Sequence, residues 1–296
     1  MDFKIELKKY QNIIENELKK YLRNKQCPEK GLNESMEYSL ITGGKRIRPI
    51  LILATYDLFS KNNLICLPYC VAIEMVHNFS LIHDDLPAID NDNFRHGKLT
   101  NHKKFNEATA ILAGDALLNY AYIAISNDLK NTTDEKELSK KIKVFNEFSV
   151  AIDRMIVGEY VDTEFEGKPI SSEYLEYMHK NKTGKLICMC VRTGAILGGA
   201  SLQELEKLTI YAEKIGLAFQ IKDDILAEEG NELITGKPVG NDRVKNKCTY
   251  VTKYGLEEAK DILIKITDEA VQIIDEYGDK GEFLKELALY IKNRNK

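Results

Sequence analysis

The chain has 296 residues, 44% hydrophobic and 30% charged, with a net charge of −4. This is an ordinary balance for a globular protein long enough to bury a core, and it gives no reason to expect a nucleic-acid partner. The charged N-terminal residues lack a signal peptide's apolar core, and no apolar run approaches the roughly 20 residues needed to span a bilayer, so a cytoplasmic protein with no membrane span is expected.

In chain order, nearly every segment reads as helix. Residues 3–22 carry Phe3, Leu7, Ile14, Leu18 and Leu22 on one face, an amphipathic pattern. Residues 33–41 form a second short helix, ended by Gly43-Gly44. Lys45, Arg46 and Arg48 follow, just before Pro49 and the apolar run 50–58. Basic groups at a helix start beside two glycines suit either a solvated turn or an anion cradle. Cys27, Cys66, Cys70, Cys188, Cys190 and Cys248 lack paired zinc-site spacing and read as reduced thiols.

The apolar run 71–82 predicts a largely buried helix, and four aspartates follow it: Asp84, Asp85, Asp90 and Asp92. Pro87 disfavours helix at Leu86, so the helix is expected to stop near Asp85. Two carboxylates then sit at a helix C-terminus, where the macrodipole disfavours them and they repel each other. The stretch suits either a solvated acidic turn or a site for a hard divalent cation. Arg95-His96-Gly97-Lys98 follows as a basic loop, and charges of both signs side by side suit a polyanion held through metal and cations together.

Helices are expected over 107–129 and 142–161, and another is capped by Ser171 or Ser172 and runs to His179. After Lys180–Lys185, the run 186–200 reads as buried. In the helix 204–226, Gly216, Gln220 and Asp223 share one stripe amid apolar neighbours, which points them into a polar cavity. Residues 228–247 read as a mobile loop, and two helical stretches, 257–277 and 281–291, close the chain. There is no convincing strand run and no Rossmann or P-loop pattern. The expected fold is all-α, a single large helical bundle over 1–296 with a central active-site cavity.

Two Asp-Asp pairs, Asp84-Asp85 and Asp223-Asp224, each close a buried helical run. With Gly43-Gly44-Lys45-Arg46-Ile47-Arg48-Pro49, His83 to Asp90, Ala110 to Ala116, Lys182-Thr183-Gly184, Phe219 to Leu226 and Gly236 to Gly240, taken in this order, the chain resembles the trans-isoprenyl diphosphate synthases. The resemblance implies the isoprenoid synthase fold, a homodimer and a prenyltransferase of the farnesyl diphosphate synthase kind. It also implies three Mg2+ per active site, held on an allylic diphosphate by Asp84, Asp85, Asp90, Asp223 and Asp224. By the same resemblance Arg95, Lys182 and Lys237 are cations on that diphosphate. Lys45, Arg48, His77 and His96 receive isopentenyl diphosphate, Gln220 and Thr183 line the reacting region, and Lys247 and the 294–296 tail close over it.

Such residues suit ionisation of the allylic diphosphate, attack by the isopentenyl double bond and loss of a proton. Phe79, five residues before Asp84, lies about 7.5 Å deeper along the helix at about 1.5 Å per residue. An aromatic side chain there would floor the apolar tail pocket, and the expected product is farnesyl diphosphate. The alternatives are a geranyl or geranylgeranyl diphosphate synthase, or a weakly active prenyl-diphosphate-binding subunit. Three positions depart from the family pattern: Ala227 replaces a third aspartate, His96 an arginine, and Glu159 a glutamine.

Overall fold

The structure, a computed structural model, describes residues 1–21, 29–41, 43–168, 171–229 and 248–295. Its architecture is a helical bundle. In order come α1 (Phe3–Tyr21), α2 (Lys30–Ile41), α3 (Ile47–Tyr56) and, after a 3-10 turn, α4 (Leu67–Asp84). A hairpin of β1 (Phe94–Arg95) and β2 (Lys98–Leu99) precedes the short α5 (Asn101–Lys104), α6 (Glu107–Lys130) and α7 (Glu135–Glu164). Then follow α8 (Ser172–His179), a π turn (Lys180–Gly184), α9 (Lys185–Gly198) and α10 (Leu202–Glu229). The last are α11 (Tyr250–Tyr254), α12 (Leu256–Asp275) and α13 (Glu282–Asn293). One hydrophobic core takes side chains from Ile14 in α1 through to Ile291 in α13.

The element that positions the acidic stretch is α4. Pro68 sits in its first turn, where a missing N–H costs nothing, and Tyr69, Val71, Ile73, Val76, Phe79 and Ile82 are buried along it. It packs most extensively on α6. It ends at Asp84, with Asp85 as its C-cap, as the Leu86-Pro87 break predicts. Ser171 caps α8 as expected, accepting from the Tyr174 N–H at 3.3 Å.

Four local expectations are revised. Pro49 lies inside the first turn of α3, which begins at Ile47. Residues 94–99 are a small antiparallel hairpin instead of a plain loop, with Arg95 paired to Lys98. His96 (φ 51°) and Gly97 (φ 74°) form its two-residue turn, both in the left-handed region that a twisted hairpin demands. Segments α8 and α9 are joined without a break by the π turn, and α10 runs to Glu229. Finally, two helical stretches, 63–84 and 107–131, are long and apolar enough to cross a membrane by composition alone. The first is mostly buried in this bundle, whereas the second keeps most of its apolar window on the outside. Residues 230–247, with Lys237 and Lys247, lie outside the described residues, as do Cys27 and Lys296.

Candidate active site

The acidic turn folds back on its own helix. The Asp90 N–H donates to the Asp84 carbonyl at 2.8 Å, and the Asn91 N–H to the Leu86 carbonyl at 3.0 Å, so Asp84 and Asp90 are brought together. The two members of the first pair part company. The Asp85 carboxylate is buried and held bidentately by Arg95, with Nε and Nη2 donating to Oδ1 at 2.8 and 2.6 Å. Asp84 keeps part of its surface open. Burial, then Glu159, lifts its carboxyl to about 7; Lys182 and Arg95 pull it down and Asp90 raises it further.

The second pair divides in the same way. Asp224 is buried, accepting from Gln220 Nε2 at 3.1 Å and from the Tyr250 N–H at 2.8 Å, so it anchors the start of α11. Asp223 is half-exposed and is met by Arg294 Nη2 at 2.6 Å. Arg294 also donates to the Phe219 carbonyl at 3.1 Å and lies over the Phe219 ring, 4.2 Å from its centroid. In each pair the first aspartate is the more exposed and the second is buried against protein partners.

Between the pairs stands the π turn. The extra residue in such a turn shifts side chains off the helical register and recurs at functional sites. Here it sets Lys182 toward α7 and Thr183 toward α10. The Lys182 ammonium lies 2.6 Å from Asp162 and 2.8 Å from Glu159. Burial works against that ammonium, but Asp162, Glu159 and Asp84 hold its pKa above the ordinary lysine range. Thr183 Oγ1 donates to Gln220 Oε1 at 3.0 Å, joining α10 to the turn. The closeness rests on Gly158 of α7. A Cβ there would stand 2.2 Å from the Lys182 backbone nitrogen.

A cationic cluster gathers around His77. Burial, then Arg48, Arg95, His96 and Arg46, holds the His77 imidazole well below its usual range, so it is neutral among cations. Arg48 Nε is buried with no hydrogen-bond partner among the described residues. An orphaned guanidinium nitrogen beside a ring of cations fits an anion. Lys45 precedes this cluster at the mouth of α3, half-buried. Phe79 is buried one helical turn below His83, their rings edge to face at 5.0 Å.

The sequence reading named Arg46 in the basic turn but missed its pairing with Glu74. Arg46 Nη1 donates to Glu74 Oε1 at 2.6 Å, and Nη2 to the Leu40 carbonyl at 2.8 Å, both side chains being buried. The signal was present: Glu74 interrupts the apolar run 71–82. Asp162 was also missed, and it stands three residues beyond Glu159 on the same helical face.

Among the described residues, no three acidic, imidazole or thiol groups converge as they would around an ion held by protein alone. The carboxylates that gather here are nevertheless hard oxygen donors, and burial, then Glu159, holds the Asp84 carboxyl raised. This fits Mg2+, which takes few protein carboxylates and completes its shell with water and phosphate oxygens.

Comparison with known proteins agrees with this geometry. The Polyprenyl synthetase family model matches residues 29–283. The farnesyl diphosphate synthase of Geobacillus stearothermophilus is 44% identical over 261 residues, 87% of this chain and 86% of that protein. The geranylgeranyl diphosphate synthase of Cyanophora paradoxa is 42% identical over 263 residues, 88% of this chain and 87% of its own. Among solved structures, an FPP/GFPP synthase from Zymomonas mobilis in its apo form superposes with a TM-score of 0.86 at 32% identity, covering 98% of this chain and 99% of that one.

Proposed function

The chain belongs to the polyprenyl synthetase family, and from that premise we propose that it condenses isopentenyl diphosphate with an allylic diphosphate to make farnesyl diphosphate. The observation that carries this reading is the gathering of carboxylates and cations in one region. Asp84 acts with Asp90, Glu159, Lys182 and Arg95, Arg95 also acts on His77 beside Arg48, and Asp223 acts on Arg48. A doubly charged leaving group and a second diphosphate need both.

The residues divide the work as follows. Asp84, Asp90 and Asp223 would hold Mg2+, which neutralises the departing allylic diphosphate when bound. Asp85 and Asp224 act one step back, orienting Arg95 and Gln220 through the bonds described above. Arg95 and Lys182, with Lys237, contact that diphosphate. Lys45, Arg48, His77 and His96 receive isopentenyl diphosphate, and Lys247 serves closure. Thr183 and Gln220 turn polar atoms toward the nascent allylic cation. Buried walls around Phe79 exclude water and floor the tail pocket.

The whole of 1–296 acts as one domain, supported by the continuous core. The enzyme works as a cytoplasmic homodimer, its second copy covering the outward apolar side of α6 and α7, where Ile111, Leu112, Ile123, Val150 and Ile156 are exposed. Incubating purified protein with Mg2+, labelled isopentenyl diphosphate and each allylic diphosphate, and sizing the products, tests the reading. Fifteen-carbon product is expected. No product from any allylic substrate overturns the reading, and a twenty-carbon product replaces it with the geranylgeranyl alternative.

A further inference from the structure

Two carboxylates clasp one ammonium on the α7 side of the site, and a third acts on it at longer range. Lys182 Nζ lies 2.8 Å from Glu159 Oε2 and 2.6 Å from Asp162 Oδ2, and Asp84 acts on it from α4. The clamp is fixed by the backbone. Glu159 and Asp162 are three apart on α7 and share one face, and Gly158 seats that helix directly on the Lys182 backbone. The side chains of Lys182 and Glu159 are only 26% and 20% exposed, so water screens them poorly. A diphosphate approaching Lys182 therefore meets net negative charge, and it must displace a carboxylate to reach the ammonium.

Glu159 differs from Asp162 in what it faces. Asp162 is paired with Lys182, whereas Glu159 pairs with Lys182 and also acts on Asp84 more strongly than any other charge. It thus stands between the cation that binds diphosphate and the carboxylate that would bind metal.

We propose that Glu159 makes diphosphate binding in this site conditional on a divalent cation. Its carboxylate withholds Lys182 from an anion until positive charge is brought against Glu159 and Asp84. The inference rests on the prenyltransferase reading of this site and adds a coupling residue to it. An amide oxygen at this position would still accept from Lys182, but it would carry no charge. The coupling is reciprocal, so diphosphate tightens cation binding by the same factor by which the cation tightens diphosphate.

The test is calorimetric titration of inorganic diphosphate into the full chain, once with chelator and once with excess Mg2+. Wild-type protein, Glu159→Gln, Glu159→Ala and the charge-conserving Glu159→Asp are compared after thermal melting shows each is folded. Glu159→Gln is expected to bind diphosphate without cation at least about tenfold more tightly than wild type, from loss of one unit charge at close range. Its ratio of affinities with and without Mg2+ shrinks correspondingly. Glu159→Ala shrinks that ratio too, and Glu159→Asp keeps it. A wild-type ratio in both neutral variants overturns the proposal and leaves the prenyltransferase reading standing. Wild-type protein that binds no diphosphate even with Mg2+ overturns both.

Discussion

The buried Arg46–Glu74 pair offers a sharp test of how the second diphosphate site is built. Arg46 has φ 56° and ψ 29°, a left-handed backbone that a residue with a Cβ adopts uncommonly and at some strain. The constraint is visible: Nη1 donates to Glu74 at 2.6 Å and Nη2 to the Leu40 carbonyl at 2.8 Å. Lys45 and Arg48 flank this residue, and Glu74 belongs to the helix that ends in Asp84. The pair therefore ties the anion cradle to the acidic stretch. Glu74→Ala leaves a buried guanidinium with one carbonyl partner. Breaking one side of a buried pair costs about 3–5 kcal/mol. That is a large share of the roughly 5–15 kcal/mol typical of a folded domain. Urea unfolding with linear extrapolation measures the loss. Replacing both partners with apolar residues, Arg46→Met with Glu74→Leu, should restore most of the stability. It should not restore the cradle, so the KM for isopentenyl diphosphate stays raised while that for the allylic substrate is nearly unchanged. A loss below about 1 kcal/mol in Glu74→Ala would refute the reasoning, as would both KM values rising together in the double variant.

The other predictions are shorter. Phe79→Ala removes the ring that stands over His83 and should lengthen the product beyond fifteen carbons in a chromatographic sizing assay; an unchanged product length rejects the pocket floor. Gly158→Ala places a Cβ 2.2 Å from the Lys182 nitrogen, against backbone that cannot swing aside. It should lower stability by about 1–3 kcal/mol and lower kcat, read by unfolding and by steady-state kinetics. His179 is buried and pushed down to about 4 from 6.5, so its unfolded form binds the extra proton between those values. Its contribution is intact above pH 6.5 and is lost as pH falls toward 4, so the stability of wild type should drop relative to His179→Asn across that window in matched melts. Arg294→Ala releases Asp223 and should tighten Mn2+ binding measured by paramagnetic resonance on the protein alone.

The sequence carried the helical class, because apolar residues recur at helical spacing from α1 to α13, and it carried the end of α4, because Pro87 is a backbone constraint that tertiary packing cannot override. The acidic and basic motifs were legible as residues. What was hidden is their division of labour. Asp84 and Asp85 are chemically alike and adjacent, and only the path of the hairpin decides that Arg95 returns to Asp85. Asp223 and Asp224 are likewise separated only by the arrival of α11, whose Tyr250 stands 26 residues further along the chain. The π turn was invisible because one inserted residue in a helix changes register without changing composition. Arg46 and Glu74 were masked for a different reason: each looked like part of a neighbouring pattern, a basic turn and an apolar run, and the pairing is long-range.

Three of the described cations, Arg95, Lys182 and Arg294, share one arrangement. Arg95 is spent on Asp85, Lys182 on Glu159 and Asp162, and Arg294 on Asp223. Each ion pair satisfies a charge that would otherwise be desolvated alone, which keeps a polar interior stable inside an apolar bundle. Each also stands where a diphosphate or a metal would draw on one member of the pair. Binding in such a site is an exchange of partners, in which the anion takes the cations and positive charge takes the carboxylates. The net gain is then a difference between two sets of charge-assisted bonds, much smaller than either set alone. A single unbalanced charge, such as the carboxylate of Glu159, is enough to decide which exchange must come first.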